Sequence, residues 1–186
     1  MEILNSQIEF VKNEKVFLDS KKEETVIAVL EKTEVVWGAE NSCNLEWCKE
    51  NNVPTIHHDK LKGGGCIVGV KGNIFVDAKR HICADNKCIG DKFSVALCEY
   101  LKGKGLESVR TDNNDVLVDG YKVASGAETT YEGWQYMGYQ ISINQDIDII
   151  RHACNKEMVK VPKGLGEYGI TTEEMVEFCK DYWSKN

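Results

Sequence analysis

Lys122 lies directly after a tight turn between two strand-like runs, in the stretch VLVDGYKVASGA. The Asp119-Gly120 pair is the strongest two-residue hairpin signal, and the apolar, β-branched VLV run is typical of a strand. A hairpin by itself does not require a lysine followed by small residues. Lys122 is therefore either a solvated lysine on an edge strand or a positive charge facing a ligand that lies close to the backbone.

A second candidate site is the run of three glycines in KLKGGGCIVGVKGN, which comprises Gly63, Gly64 and Gly65 and is followed by Gly72-Asn73. Adjacent glycines lose much conformational entropy on folding. They allow a backbone to approach a ligand closely and to direct its N–H groups at an anion or a carboxylate. The alternative is a flexible surface loop. The segment is neither a Walker loop nor a Gly-x-Gly-x-x-Gly fingerprint.

Composition and charge exclude several classes of protein. The 186-residue chain has a net charge of −7, which argues against a protein that binds the phosphate backbone of nucleic acids. No apolar run is long enough to cross a bilayer, and the N-terminus lacks the pattern of a secretory signal. The sequence therefore predicts a cytoplasmic protein without a membrane partner. Its eight cysteines include Cys98 and Cys179 within apolar patterns, which predicts reduced core thiols.

The pattern of apolar residues predicts one α+β domain over residues 1–186, with a mixed or mainly antiparallel sheet and packed helices. Ser20 and Glu23 have capping-box spacing, so the TVIAVL run is also compatible with a helix. The predicted strands are IEFV, KVFL, TVIAVL, EVVW and CIVGVKGNIFV, and the predicted helices are NLEWCKENN, DKFSVALCEYLKGKG, DIDIIRHAC and TTEEMVEFCKDYW.

These segments together resemble the lipoate–protein ligase family, which shares its catalytic fold with biotin ligases and octanoyltransferases. The resemblance covers roughly Val35 to Lys180. KLKGGG occupies the place of the family's Arg-Arg-x-Ser-Gly-Gly-Gly loop. NNDVLVDGYKVASGA is similar to its Arg-Asn-Asp…Lys-Val-Ser-Gly-Ser-Ala segment, and GYQISINQDIDIIRHACN to the strand and short helix that follow.

This chain departs from the family pattern at several positions. The family's paired arginines fall on Asp59 and Lys60, and its serine falls on Lys62. A later His-Gly pair reads Met137-Gly138.

The resemblance implies that Lys122 is the catalytic residue. In such ligases a carboxylic acid attacks the α-phosphate of ATP and gives an acyl-adenylate, and a fixed ammonium stabilises the negative charge of the transition state. Asp115 then either orients Lys122 or holds a magnesium ion on the phosphates. The implied binding residues are Gly63, Gly64, Gly65, Asn73, Asn114, Asp115, Lys122, Ser125, Gly126 and Ala127.

The implied function is ATP-dependent adenylation of lipoate or a similar medium-chain acid, followed by transfer to a lysine of a lipoyl-type carrier domain. ATP with Mg²⁺, the acid and the carrier domain are the expected ligands and partner. The chain ends soon after its last predicted helix, without room for the small C-terminal accessory domain of many such ligases. We therefore expect either that a separate protein supplies that domain or that adenylation is incomplete.

Two alternatives remain open at this point. Cys154 lies near the position of the nucleophilic cysteine of some octanoyltransferases, and His152 or Lys156 is a candidate to lower its pKa. Cys154 also occupies an apolar helix position, which favours a core thiol. The second alternative is a non-catalytic binding protein that kept the fold. The histidines and cysteines match no common zinc-binding spacing, and the metal ligands are unknown.

Overall fold

A computed structural model describes residues 1–39, 41–58, 65–82, 88–155 and 160–186. Two sheets form its framework. The large sheet has the strand order β1 (Glu2–Leu4), β2 (Glu24–Val29), β6 (Ile74–His81), β10 (Trp134–Ile141), β9 (Tyr121–Tyr131), β8 (Val116–Val118) and β7 (Ser108–Arg110). The small sheet has the order β4 (Thr55–His57), β3 (Glu34–Trp37) and β5 (Cys66–Gly69).

Most neighbouring strands are antiparallel, but β1 pairs with β2, and β3 with β4, in parallel. The predicted α+β class with a mixed, mainly antiparallel sheet is thus confirmed. The helices are α1 (Gln7–Asp19), α2 (Leu45–Glu50), α3 (Ile89–Gly103), α4 (Ile147–Ala153) and α5 (Thr172–Lys185), with a 3₁₀ helix at Leu165–Tyr168.

The first two predicted strands are wrong, because IEFV and KVFL both lie in α1. Phe10 and Phe17 are seven residues apart, which places them on one helical face, and both are buried. The N-terminus of α1 is capped by Ser6, whose Oγ accepts a hydrogen bond from Glu9 N at 3.2 Å. The Glu34 carboxylate of β3 also accepts from Ile8 N at 3.1 Å. A tertiary partner therefore stabilises a helix whose local sequence resembles two strands.

The two faces of the large sheet have different coverings. Helices α3 and α5 cover the face that we call the core face, which carries Ile27, Val76 and Tyr139. The opposite face, here called the α1 face, carries Phe75 and Gln140. Helix α1 and the small sheet cover it in part, and Gln140 Nε2 donates to the Val68 carbonyl oxygen of β5 at 3.0 Å.

The helices of the core face follow the predicted patterns closely. Phe93, Leu97 and Leu101 of α3 are fully buried, as are Met175 and Cys179 of α5. A capping box formed by Thr171 and Glu174 begins α5, and its buried face ends at Trp183, with Tyr182 only partly buried. In the described ranges, no helix combines the length and apolar character needed to span a bilayer.

Asn73 links the start of β6 to the segment that follows β10. Its side chain is fully buried, and its Oδ1 accepts hydrogen bonds from Ile143 N at 2.9 Å and from Asn144 N at 3.0 Å. In this structure the side chain of Asn73 therefore completes the backbone hydrogen bonding after β10.

We predict that Asn73→Ala lowers the free energy of unfolding by about 2–5 kcal/mol, because it leaves two backbone N–H groups without an acceptor. Urea denaturation measures this change. Asn144→Ala is the matched control, since it removes one exposed hydrogen bond to the Lys71 carbonyl oxygen and is expected to cost less than about 1 kcal/mol. Equal losses in both variants contradict the role assigned to Asn73.

Candidate functional site

A β-bulge at Val123 determines the direction of the Lys122 side chain. Leu117 of β8 pairs with Lys122, and Val116 pairs with Ala124, so Val123 is the additional residue. Val116, Val123 and Ala124 all belong to the buried core. Because a bulge interrupts the alternation of side chains, Lys122 lies on the α1 face with Leu117.

Beyond the bulge, β9 presents small residues on this same face. Ser125 pairs with Gln140, and Ala127 pairs with Gly138. Asp77 of β6 is the next residue across the sheet, since it pairs with Gly138. The row Ala127–Gly138–Asp77 thus has little side-chain bulk on two of its three strands.

Lys122 is held through its backbone, while its ammonium remains available. Lys122 N donates to the Val161 carbonyl oxygen at 3.0 Å, and Lys163 N donates to the Lys122 carbonyl oxygen at 3.0 Å. Within the described ranges the Lys122 side chain, which is half-buried, forms no hydrogen bond or ion pair. A fixed backbone with an unpaired ammonium suits a group that binds a negatively charged ligand.

Asp115 lies on the same face of the sheet as Lys122 but has another partner. Asp115 precedes Val116 of β8 by one residue, so by alternation it lies on the α1 face with Leu117. Its Oδ2 accepts from Lys160 Nζ at 2.7 Å. Sequence reasoning missed Lys160, because only the folded chain brings the segment at residues 160–163 beside β9.

Asn114, the neighbour of Asp115, points elsewhere. It adopts a left-handed conformation with φ 60° in the turn before β8. Its Oδ1 accepts from Arg110 Nη1 at 2.8 Å, and its Nδ2 donates to Glu128 Oε1 at 3.4 Å. Glu128 also accepts from Gly90 N at the start of α3 at 3.0 Å. Asn114 therefore joins a polar network at the α3 N-terminus, apart from the Lys122 side chain.

Gly126 lies on the core face. A Cβ at this position is only 2.1 Å from Cδ2 of Tyr139, whose ring is buried. The small residue is therefore required by packing of Tyr139, which is a reason that the sequence pattern alone did not reveal.

Most of the glycine run lies outside the described residues, including Gly63, Gly64 and the two positions Asp59 and Lys60. Gly65 is described and directly precedes β5, and its carbonyl oxygen accepts from Gly38 N at 3.3 Å. Within the described ranges no heavy atom beyond its chain neighbours lies within 4 Å of a Cβ built at Gly65.

Cys154 belongs to a group of thiols between the small sheet and α4. Cys43 Sγ lies 3.9 Å from Cys48 Sγ, and both residues are buried with Cys66 and Cys154 at the edge of the same apolar cluster. The Cys66 thiol donates to the Ala153 carbonyl oxygen at 3.6 Å, and the Cys154 thiol donates to the Cys66 carbonyl oxygen at 3.8 Å. The neighbouring Cys66 thiol lowers the pKa of Cys154, and Cys154 together with burial raises the pKa of Cys66. These thiols are free, as predicted for core cysteines.

His152 does not act on Cys154 in this structure. Its Nδ1 lies 2.6 Å from the Asp148 carbonyl oxygen, and its ring stacks on Trp47 with centroids 5.4 Å apart. The second candidate base, Lys156, lies outside the described residues. Among the residues that the structure describes, no three His, Cys, Asp or Glu side chains are placed to hold a metal ion.

Asp77 is a buried carboxyl group on the α1 face, and sequence reasoning missed it. Its Oδ2 accepts from Gln7 Nε2 at 3.1 Å. Burial raises the pKa of Asp77 to about 7, an effect increased by Glu14 and opposed by the Gln7 hydrogen bond and by His58. The available sequence signal was a single carboxylate inside the apolar strand pattern IFVDA.

The fold and the site define an α+β domain with a lysine on a bulged strand, on the sheet face that also carries small residues of β9 and β10. Residues 12–180 match the family model described as "Lipoyl protein ligase A/B catalytic domain". The chain belongs to this family of lipoyl protein ligase catalytic domains.

A lipoate–protein ligase of Streptococcus pyogenes serotype M5 (strain Manfredo) is 26% identical to the chain over 123 residues. The alignment covers 63% of this chain and 34% of that protein, so the chain spans about a third of this relative.

Three solved structures share the fold at low sequence identity. P. falciparum LipL1 in complex with lipoate has a TM-score of 0.78 and 18% identity, with 99% of this chain and 61% of that chain covered. The bi-partite lipoate protein ligase from Thermoplasma acidophilum, described with its E2 lipoyl domain, has a TM-score of 0.78 and 15% identity. The alignment covers 99% of this chain and 82% of that chain. Lipoate-protein ligase A bound with ATP has a TM-score of 0.76 and 14% identity, and the alignment covers 96% of this chain and 79% of that chain.

We predict that Asp77 makes stability depend on pH between about 4 and about 7. Its folded-state pKa is about 7, against an ordinary value of 3.8, so the folded state binds the proton more tightly and loses stability as the pH rises through this window. Between these two pH values the free energy of unfolding of the wild type should fall by about 4 kcal/mol relative to that of Asp77→Asn. Each tenfold change in proton affinity corresponds to about 1.4 kcal/mol.

Urea unfolding of both proteins across this pH range measures the difference. The charged or polar groups that face Asp77 are Gln7 and Glu14 of α1 and His58 after β4. The exposed residue Asp112 provides the control, since the pH profile of stability of Asp112→Asn should run parallel to that of the wild type. Parallel profiles for Asp77→Asn and the wild type would show that Asp77 does not hold its proton in the fold.

Proposed function

We propose that the protein adenylates lipoate or a similar medium-chain carboxylic acid with ATP and transfers the acyl group to a lysine of a lipoyl-type carrier domain. The observation that carries this proposal is the Lys122 ammonium, which has no partner within the described ranges and which the bulge at Val123 places on the α1 face, where β9 and β10 also carry small residues. Family membership over residues 12–180 supports a ligase-type reaction.

In the first step an oxygen of the acid carboxylate attacks the α-phosphorus of ATP. The bond to the leaving pyrophosphate breaks, and an acyl-adenylate forms. Negative charge gathers on phosphoryl and carboxylate oxygens in this transition state, and a preorganised cation stabilises it more than it stabilises the ground state. Lys122 has the compact charge and the long stem for this role. In the second step the lysine amine of the carrier attacks the acyl carbon, and AMP leaves.

The Lys122 ammonium, which has no partner within the described ranges, supports an anionic co-substrate on the α1 face, although the chain as a whole is acidic. The two lysines of the neighbouring segment are paired: Lys160 binds Asp115, and Lys163 Nζ lies 3.9 Å from Glu167 Oε2. The solved structure of a related fold bound with ATP motivates the choice of ATP. A magnesium ion would neutralise charge on the phosphates, and Asp115, whose partner in this structure is Lys160, is the carboxylate that would hold it.

The proposed small-residue contacts are Ser125 and Ala127, with Gly65 at the edge of the small sheet. The carrier and a separate accessory protein are part of the proposal, motivated by the bi-partite ligase described with its lipoyl domain. The proposal places the reaction in the cytoplasm, where ATP is available and core thiols such as Cys98 stay reduced.

A second candidate function is ATP-independent acyl transfer through Cys154. The observation in its favour is the neighbouring Cys66 thiol, which lowers the pKa of Cys154 and so favours the thiolate. The position of His152 argues against it, because that ring is held by Asp148 and Trp47 rather than by Cys154.

We predict that Lys122→Ala lowers the rate of ATP-dependent transfer on the order of 10²-fold or more, because it removes a preorganised charge. Cys154→Ser should be nearly neutral, since serine replaces a packed thiol. The measurement is acyl transfer to a lipoyl-type domain with and without ATP, together with pyrophosphate exchange. The exposed residue Lys102 supplies the matched control, and Lys102→Ala should retain full activity.

If acyl transfer does not require ATP and is lost only in Cys154→Ser, the second candidate function is correct. If the wild type neither exchanges pyrophosphate nor transfers an acyl group but still binds the acid, the protein is a non-catalytic binding protein.

A further inference from the structure

Four cysteines from separate parts of the chain lie together between the small sheet and α4. Cys43 precedes α2, Cys48 lies within α2, Cys66 begins β5, and Cys154 directly follows α4. Cys43 and Cys48 are buried, whereas Cys66 and Cys154 are partly exposed. Packing explains a buried thiol, because cysteine behaves in a core as a small apolar residue. Thiols that solvent reaches beside buried ones are also accessible to thiol chemistry.

The backbone places two of these residues directly opposite each other. Cys43 and Cys154 form an isolated antiparallel bridge. On one side of this bridge, Asn44 N donates to the Ala153 carbonyl oxygen at 2.8 Å. On the other side, Asn155 N donates to the carbonyl oxygen of the residue before Cys43 at 3.1 Å. The hydrogen bonds therefore flank the two cysteines, which makes them a non-hydrogen-bonded pair.

This pairing has the backbone spacing that a disulfide bond requires. In a non-hydrogen-bonded antiparallel pair the two Cα atoms are about 4.5 Å apart, and the side chains lie close together on one face. Disulfides form at Cα separations of about 4.4 to 6.8 Å. Rotation of the Cys43 and Cys154 side chains is therefore sufficient to join them, without movement of the backbone.

Within the described ranges, the contacts that hold the two thiols in their present positions are weak. Cys43 Sγ lies 3.9 Å from Cys48 Sγ, and the Cys154 thiol donates to the Cys66 carbonyl oxygen at 3.8 Å. A thiol is a weak donor and a weak acceptor. Rotation of the two side chains toward each other therefore breaks no strong hydrogen bond.

We propose that Cys43 and Cys154 form a reversible disulfide bond when the protein encounters a small-molecule disulfide such as oxidised glutathione. The Cys154 thiolate attacks one sulfur of the oxidant and expels the other half as a thiolate, which leaves a mixed disulfide. Cys43 then loses its proton, attacks the Cys154 sulfur and expels the second half. The two protein thiols give up two electrons and two protons, and the oxidant is reduced to two thiols.

Exposure and acidity favour Cys154 as the residue that reacts first. It is partly exposed, and the next residue, Asn155, is exposed. The neighbouring Cys66 thiol lowers the pKa of Cys154, which favours the reactive thiolate. Burial raises the pKa of Cys43 to about 12, so the second step is the slower one.

A reversible bond is compatible with the reduced thiols of the cytoplasm. Disulfides of cytosolic proteins are usually transient, and they serve catalysis or redox sensing. The bond requires neither ATP nor an acid, so its formation does not depend on the adenylation proposed for Lys122.

Thiol mapping of the full chain tests this bond. The protein is equilibrated in buffers with graded ratios of oxidised to reduced glutathione, free thiols are alkylated, and mass spectrometry identifies the linked peptides. We expect the Cys43 and Cys154 thiols to disappear together in one bond that dithiothreitol reverses. The absence of a bond in the most oxidising buffer overturns the inference, and so does a bond from Cys154 to Cys66 or from Cys43 to Cys48.

Cys43→Ser separates the two steps of the reaction. Cys154 in this variant should retain glutathione as a mixed disulfide, because the opposing thiol is missing. Cys98→Ser is the matched control, since it removes a buried thiol of the core face and should leave the bond between Cys43 and Cys154 intact. If Cys43→Ser forms an internal disulfide as readily as the wild type, Cys43 is not the partner and the inference is wrong.

The bond should also raise thermal stability. It encloses more than half of the chain, and a cross-link that closes a long loop restricts the unfolded state strongly. Oxidation should therefore raise the Tm of the wild type by about 5 °C or more, and it should leave the Tm of Cys43→Ser unchanged. A lower Tm of the oxidised wild type shows that the bond distorts the fold, which contradicts the spacing inferred for Cys43 and Cys154.

Discussion

The bulge in β9 decides which side of the large sheet the Lys122 ammonium occupies. With regular alternation, Lys122 shares the direction of Ala124 and enters the apolar core, where an unpaired charge is costly. One additional residue, Val123, reverses that direction, so the valine enters the core and the lysine leaves it. The hairpin turn, the neighbouring segment at residues 160–163 and the small residues of β9 all depend on this register.

The two faces of the large sheet separate stability from the candidate chemistry. On the core face, the absence of a side chain at Gly126 leaves room for the buried Tyr139 ring. The Tyr139 hydroxyl donates to the Asn114 carbonyl oxygen at 2.5 Å. On the α1 face, Gly138 and Ala127 leave space instead. Small residues at adjacent positions of the same two strands therefore serve opposite purposes, because successive side chains of a strand point to opposite faces.

Local charge differs from the charge of the whole chain. The net charge is −7, yet three lysines converge near the start of β9. Lys160 binds Asp115, and Lys163 lies over the Tyr168 ring at 4.2 Å and 3.9 Å from Glu167 Oε2. Lys122 has no partner in the described part of the chain, so it supplies the uncompensated positive charge at this place. Net charge governs long-range attraction, whereas a ligand in a site responds to the charges within a few ångströms.

The sequence alone determined the fold class, the hairpin before Lys122, helices α3 and α5 and the family, because turn residues, capping boxes and apolar periodicity are local signals. It failed for α1, whose IEFV and KVFL segments resemble strands until the Glu34 carboxylate of β3 reaches the helix N-terminus. Only the tertiary structure decided which candidate residues share a face. Strand register, the bulge and non-local partners such as Lys160 depend on contacts between segments far apart in the chain, and no local pattern encodes them.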